Sequence, residues 1–285
     1  MCRLFGFRSV IQSQVHQSLV EAENALAVQS RKHPDGWGVA YYVADAPHLV
    51  KGVFPAVEDH IFRRVSGLVA SQTVLAHIRK ATVGDVNTLN SHPFQHGSWV
   101  FAHNGQVEEY GQVKEELERQ IAPTLRRYVL GDTDSEVIFY LFLTQLSRLT
   151  DMHRRGTQSE TVALALARTV RQVREIADHR PGVERSKLTL LVTDGHTMVG
   201  LRSGTTLMFS TYKGRCSDRG FCPFLSPECE APTETGFVNH LLISSEQLQG
   251  QNVWIELEDD HLVGVDWRMR LFRGSVDGVI EEAGA

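Results

Sequence analysis

The chain has 285 residues, 42% of them hydrophobic and 22% charged, and a net charge of −5. That balance is ordinary for a globular protein long enough to bury a full core, and its acidic excess argues against nucleic acid as a main partner, since phosphate-binding surfaces carry surplus Lys and Arg. No stretch approaches the roughly 20 apolar residues of a membrane span, and Arg3 and Arg8 break the early apolar run that a signal peptide would need.

The opening MCRLFGFRS places a strand-like apolar run directly after Cys2. Val15, Leu19, Ala22 and Leu26 then recur at helical spacing. WGVAYYV (37–43) puts Val39, Tyr41 and Val43 on one face of a strand. Val57, Ile61, Val65 and Leu68 predict a second helix, and TVLAHIR (73–79) and SWVFAHN (98–104) predict two more strands, each ending in polar residues. Thr133-Asp-Ser-Glu136 has the capping-box form and opens a strongly apolar helix. A longer helix over 158–178 carries Ala163, Leu166, Val170, Val173 and Ala177 on one face. From Lys187 the texture changes to hairpins: KLTLLV and TMVGLR flank an Asp-Gly turn, and NVWIELEDDHLVGVDW predicts a second hairpin. The stretch 214–236 is rich in Pro, Cys and charge, and predicts an irregular loop that is either a functional flap or simply mobile. Antiparallel strands mixed with amphipathic helices, and no linker between them, predict one layered α+β domain over residues 2–285.

Initiator methionine is normally removed before a residue as small as cysteine, which would leave a thiol and a free α-amine together on Cys2. A thiol of pKa about 8.5 is mostly protonated at neutral pH. An α-amine of pKa about 7.7–8.0 is a base able to take that proton. The plainer alternative is a small buried residue in a first strand. Arg79 ends a strand, where its planar fork suits a carboxylate or an ordinary surface salt bridge. Asn104-Gly105 reads as a turn, or as a side-chain amide and an unhindered N–H aimed at one oxyanion. Asp134 either holds an ammonium group or complements a helix dipole.

Metal and cofactor signals are weak. Asp132, Asp134 and Glu136 are spaced by two, but the capping box accounts for Glu136 and no calcium-type glycine loop follows. Cys216, Cys222 and Cys229 lack CxxC spacing, and His92, His96 and His103 are expected to be satisfied at strand and turn positions. His33 near Trp37 reads as structural or pocket-lining. Neither GxxxxGK[ST] nor GxGxxG occurs, so no cofactor and no metal are expected. Four cysteines in so long a chain suggest reduced thiols and a cytoplasmic setting.

Taken in order, Met1-Cys2, His77-x-Arg79-x-Ala81-Thr82, Asn90-Ser-His-Pro93, His103-Asn-Gly105 and Thr133-Asp-Ser-Glu136 resemble the motif series of class II glutamine amidotransferases, members of the N-terminal-nucleophile hydrolases. The match runs roughly from residue 2 to residue 140, and the remainder is similar to stand-alone members rather than to the large synthases. The resemblance implies a four-layer αββα sandwich, with two antiparallel sheets between helical layers. It implies Cys2 as nucleophile with its own α-amine as base, and Asn104 with Gly105 as the oxyanion hole. Arg79 would bind the α-carboxylate of the substrate, Thr82 would lie close to that carboxylate, and Asp134 would bind the α-amine. The substrate would be glutamine or a γ-glutamyl compound.

Three activities fit: an amidohydrolase acting on γ-glutamyl conjugates, a glutaminase subunit supplying ammonia to a separate synthetase partner, or a binding subunit that keeps the pocket without turnover. Two departures stand out. Lys32-His33-Pro34-Asp35 occupies the place of an Arg-Gly-x-Asp segment in many relatives, and Lys80 stands where several glutamine-specific members carry tryptophan. The lack of an acceptor domain, Lys80, and a 214–236 loop able to cover or extend the pocket together predict a preference for γ-glutamyl conjugates, or only slow hydrolysis of glutamine without a partner.

Overall fold

The computed structural model describes residues 2–284 apart from 16, 181, 218, 234 and 235. Its strands are β1 (Arg3–Gln14), β2 (Trp37–Val43), β3 (Ala46–Gly52), β4 (Ala70–Ile78), β5 (Phe94–His96), β6 (Trp99–Gln106), β7 (Lys187–Thr193), β8 (Met198–Leu201), β9 (Met208–Ser210), β10 (His240–Ser244), β11 (Ile255–Glu256), β12 (His261–Val265) and β13 (Leu271–Ser275). The helices are α1 (Leu26–Gln29), α2 (His60–Leu68), α3 (Tyr110–Gln120), α4 (Pro123–Arg126), α5 (Asp134–Ser147), α6 (Ser159–Ala177) and α7 (Val276–Glu282). Among the described residues the strands form two antiparallel sheets, ordered β11-β9-β10-β1-β4-β2-β3 and β13-β12-β8-β7-β6-β5.

Alternation along the strands builds the layers. Leu4, Ala40 and Leu75 of the first sheet face Val100, Ala102, Leu191 and Met198 of the second. Their neighbours Phe5, Val39 and Val74 point the other way, under Leu19, Leu26 and Phe62. On the far side of the second sheet, Phe101, Leu190 and Val192 pack against Phe139, Leu166 and Val170. The order is helix, sheet, sheet, helix, so the expected αββα sandwich is the one formed. Helix α5 is buried from Asp134 to Leu146, as expected of a helix that is apolar all round. The Asp194-Gly195 turn joins β7 to β8, with Gly195 at φ +93°, a region open to glycine.

Four expectations change. The helical spacing at 15–26 marks burial rather than one helix: β1 runs to Gln14, followed by a π-helical turn at Gln17–Glu21 and the short α1, while Val15, Leu19 and Leu26 still enter the outer core. The second hairpin does not form. Strand β11 pairs with β9 in one sheet, whereas β12 pairs with β8 and β13 in the other, so this segment crosses between sheets. Thr133 caps α5 by accepting the Glu136 N–H at 3.3 Å, but the Glu136 carboxylate turns away to the N–H groups of Gly131 (2.6 Å) and Leu130 (3.2 Å), so the box is half made.

Finally, the 214–236 segment lies on the outer face of the first sheet, where Cys216, Cys222, Phe224 and Cys229 line a cavity of about 290 Å³ with Phe5 and Phe7. Its described residues wall neither the cleft beside Asn104 nor the one beside Thr82. Among the described residues no helix is long and apolar enough to cross a membrane.

Candidate active site

The antiparallel register of β1 and β4 pairs Arg3 with Ile78, so the start of one strand meets the end of the other. Cys2 therefore faces the backbone of Lys80. Its Sγ accepts the Lys80 N–H at 3.2 Å and lies 3.4 Å from the Lys80 carbonyl oxygen. Burial pushes the thiol pKa up, while the Lys80 N–H and the Arg79 cation pull it down. Gly36 and Asp35 hold this turn from the side: Arg79 N donates to Gly36 O at 2.8 Å, and the Asp35 carboxylate accepts the Ala81 N–H at 2.9 Å. The segment that departs from Arg-Gly-x-Asp thus abuts the site through its aspartate and glycine.

Arg79 is buried, and its guanidinium donates to the carbonyls of Asp85 (2.9 Å), Val83 (3.0 Å) and Gly84 (3.3 Å), closing the loop that carries Thr82. Thr82 is exposed and lines a cleft of about 530 Å³ with Val83, Gln106, Val107 and Tyr110.

Asn104 and Gly105 come from β6 in the opposite sheet. Strand β5 pairs only as far as Phe101, so residues 102–106 have no strand partner on that edge among the described residues. Asn104 is 2% exposed, and its Oδ1 has no hydrogen-bond partner among the described residues. Its main-chain oxygen accepts from Thr205 Oγ1 at 3.1 Å. At Gly105 a Cβ would collide with the Lys187 carbonyl of β7, so the close strand approach requires glycine.

Asp134, the first residue of α5, is buried and binds the chain just beyond that pair, accepting the Val107 N–H at 2.8 Å and the Ser135 N–H at 2.8 Å. Its charge reaches both Cys2 and Arg79. Cys2, Arg79, Thr82, Asn104, Gly105 and Asp134 are brought to one end of the two sheets.

The histidines divide. His103 is satisfied as expected, with Nδ1 2.9 Å from Ser135 Oγ and Nε2 2.9 Å from Lys187 O. His92 is not. It lies against His77 with ring centroids 4.1 Å apart and planes tilted by 38°, and no ring nitrogen of either residue has a partner in good hydrogen-bond geometry among the described residues. Burial lowers the His77 pKa to about 3 and depresses His92 well below the ordinary histidine range. His33 is buried at the same end, its pKa lowered to about 4 by burial and then by Arg3, Lys80 and Lys32 among nearby cations.

The sequence offered no signal for Arg3, Thr205 and Glu246, which meet beside Asn104 from three distant segments. Among the described residues no group of three or more His, Cys, Asp or Glu side chains is arranged to hold a metal ion.

A family model described as "Glutamine amidotransferases class-II" matches residues 1–213. Over 223 residues the chain is 32% identical to "Probable glutamine amidotransferase DUG3" of Saccharomyces cerevisiae, covering 70% of this chain and 62% of that one. Over 118 residues it is 33% identical to "Gamma-glutamyl-hercynylcysteine sulfoxide hydrolase" of Mycobacterium tuberculosis, covering 38% and 50%. The chain thus spans less than two thirds of either relative's length. Among solved structures, the glutamine aminotransferase class-II domain protein from Silicibacter pomeroyi matches with a TM-score of 0.65 at 21% identity, over 96% of this chain and 99% of that one. The glutamine phosphoribosylpyrophosphate amidotransferase of B. subtilis matches at 0.61 and 15%, over 96% and 49%. At such identities the likeness is one of fold.

Proposed function

The chain belongs to the class II glutamine amidotransferases, and from that premise we propose that it is an amidohydrolase cleaving the γ-amide of glutamine or of a γ-glutamyl conjugate through Cys2. The Cys2 thiol gives its proton to its own α-amine, which is free once Met1, outside the described residues, has been removed. The thiolate attacks the γ-carbonyl carbon, and the carbonyl electron pair moves onto oxygen, where the Asn104 amide and the Gly105 N–H receive it. The C–N bond then breaks as the ammonium returns the proton to the leaving nitrogen, releasing ammonia or an amine. Water hydrolyses the resulting thioester to a γ-carboxylate and restores the thiol. Removing one such oxyanion donor typically costs about 100- to 1000-fold in rate.

Arg79, Asp134 and Thr82 hold the glutamyl end, the first two by charge and the third from the exposed loop. A guanidinium has five donors, so Arg79 is able to keep part of its hold on residues 83–85 while gripping a carboxylate. The observation that carries this reading is the meeting of a buried thiol, a guanidinium, a buried carboxylate and a buried amide at one end of the sheets. Residues 2–285 are taken as one domain working in a reducing compartment. In support, strands from 240–275 join both sheets begun by the N-terminal part.

The test is glutamate release from glutamine and from a series of γ-glutamyl amines by the purified protein alone, together with the mass of its N-terminus. Turnover of the amines with Cys2 at the terminus is the expected result. No glutamate from any of them, with Met1 retained, would instead favour a binding subunit.

A further inference from the structure

Beside Asn104 the surface opens into a cleft of about 390 Å³, walled by Arg3, Thr205, Thr206, Ser245, Glu246 and Gln247. It is distinct from the cleft lined by Thr82 and Val107. With the glutamyl end assigned to Arg79, Thr82 and Asp134 and the scissile carbon to Cys2 and Asn104, a cleft that Asn104 itself lines is open to the departing group. Resting on the γ-glutamyl hydrolase reading, we propose that this cleft is the leaving-group subsite and that Arg3 selects leaving groups bearing a carboxylate, namely amino acids or short peptides, over ammonia and neutral amines.

Size is the first support. Departing ammonia needs no such room, since at about 30 Å³ per water this volume would take roughly a dozen waters.

Charge is the second. The protein is net negative, yet the fields of Arg3, Lys80 and Lys32 converge on the buried His33, and that of Arg79 reaches Cys2. The neighbouring Asp35 carboxylate is engaged by the Ala81 N–H.

The third is the ion pair of Arg3 with Glu246, which sits on the turn after β10 with its side chain 39% exposed. Pairs this accessible are worth about 0–1 kcal/mol. Glu246 therefore holds, at little cost to displace, the place of a ligand carboxylate. Arg3 also donates to the Cys2 carbonyl at 3.3 Å, which ties its guanidinium to the peptide of the nucleophile.

The fourth is Asn104, which lines this cleft and whose buried Oδ1 has no donor among the described residues. The N–H of a scissile amide would supply one. Glutamine and its conjugates share that N–H, so it marks where the bond lies and not which leaving group is preferred.

Calorimetric titration of the Cys2→Ala protein with γ-glutamylglycine, γ-glutamylglycinamide and glutamine tests the proposal without turnover. The dipeptide should bind about tenfold more tightly than its amide, the range of a well-placed charge-assisted hydrogen bond. Adding Arg3→Gln should bring that ratio close to one. Adding Glu246→Gln instead should raise it, because one internal competitor for Arg3 is gone. Equal affinity for dipeptide and amide, or a ratio that Arg3→Gln leaves unchanged, overturns the proposal, as does binding of glutamine without binding of the dipeptide. If Arg3→Gln does not fold, Glu246→Gln decides alone: the ratio must rise. Failure of the hydrolase reading shows separately, as no glutamate released by the wild-type protein even though the affinity ratio holds.

Discussion

The Cys2 thiol rests against the Lys80 peptide, accepting its N–H at 3.2 Å, so the residue next to Arg79 in the chain positions the nucleophile. Burial raises this thiol's pKa, and the Lys80 N–H and the Arg79 cation oppose the rise. Since the thiolate is the reactive form, alkylation of Cys2 by iodoacetamide should speed up with pH through an inflection above the ordinary cysteine value. Arg79→Gln removes one opposing cation and should move the inflection higher still. Peptide mass mapping across a pH series reads both. An inflection at or below the ordinary value would show that the opposing N–H and cations outweigh burial, whereas label on Cys216, Cys222 or Cys229 alone contradicts the assignment of Cys2. Cys2→Ala should lose more than about 1000-fold in γ-glutamyl hydrolysis with its melting temperature little changed.

Arg79→Lys should raise KM for a γ-glutamyl substrate about tenfold or more, because a point charge cannot reproduce a planar fork. The same change loosens the loop held through Val83, Gly84 and Asp85, and should cost about 1–3 kcal/mol of stability. Steady-state kinetics with chemical denaturation separate the two effects. Unaltered kcat and KM would remove Arg79 from the substrate site.

Gly105→Ala forces a methyl group into the Lys187 carbonyl and so parts β6 from β7 next to Asn104. A loss of about 1–3 kcal/mol in stability is expected from the overpacking. With it should come a fall in kcat of about 100-fold, as the oxyanion donors move off line. A variant that melts lower but keeps its kcat would show that Gly105 serves packing alone.

Acid should weaken the fold through His77 and His92. In the unfolded chain each takes up a proton near pH 6.5, whereas burial holds the folded His77 down to about 3 and His92 well below its ordinary range. The unfolded state thus binds more protons between those limits, and stability falls as pH falls below about 6.5, by about 1 kcal/mol per pH unit for each histidine. His33 and His240, both lowered to about 4, titrate in the same window. The informative quantity is therefore the difference between proteins. Denaturation midpoints between about pH 7 and 5 should depend less steeply on pH in His92→Phe. An identical slope would clear the His77–His92 pair.

Much of the architecture was legible because the governing signals are local. WGVAYYV emerged as a strand with the expected ends, and Thr133 capped its helix, since alternation and cap chemistry act over a few residues. The segment 252–267 misled for the converse reason. Its alternation marks a buried face, and a buried face does not name its partner strand. The expected satisfaction of His92 failed likewise, because the side chain it meets in its turn is His77, brought there by β4.

For this protein the sequence by itself determined the chemical inventory: a cysteine at position 2, an arginine and a threonine at 79 and 82, Asn-Gly at 104–105, an aspartate at a helix start, and the ordered motifs that resemble one family. Tertiary structure alone decided what each of these touches. It set Cys2 against Lys80, turned the Arg79 fork onto its own loop, bound Asp134 to the N–H of Val107 and brought Arg3, Thr205 and Glu246 to the side of Asn104. The physical reason is that residue type and short-range spacing are properties of the chain, whereas contact between residues hundreds of positions apart depends on which sheets pack together and in what register.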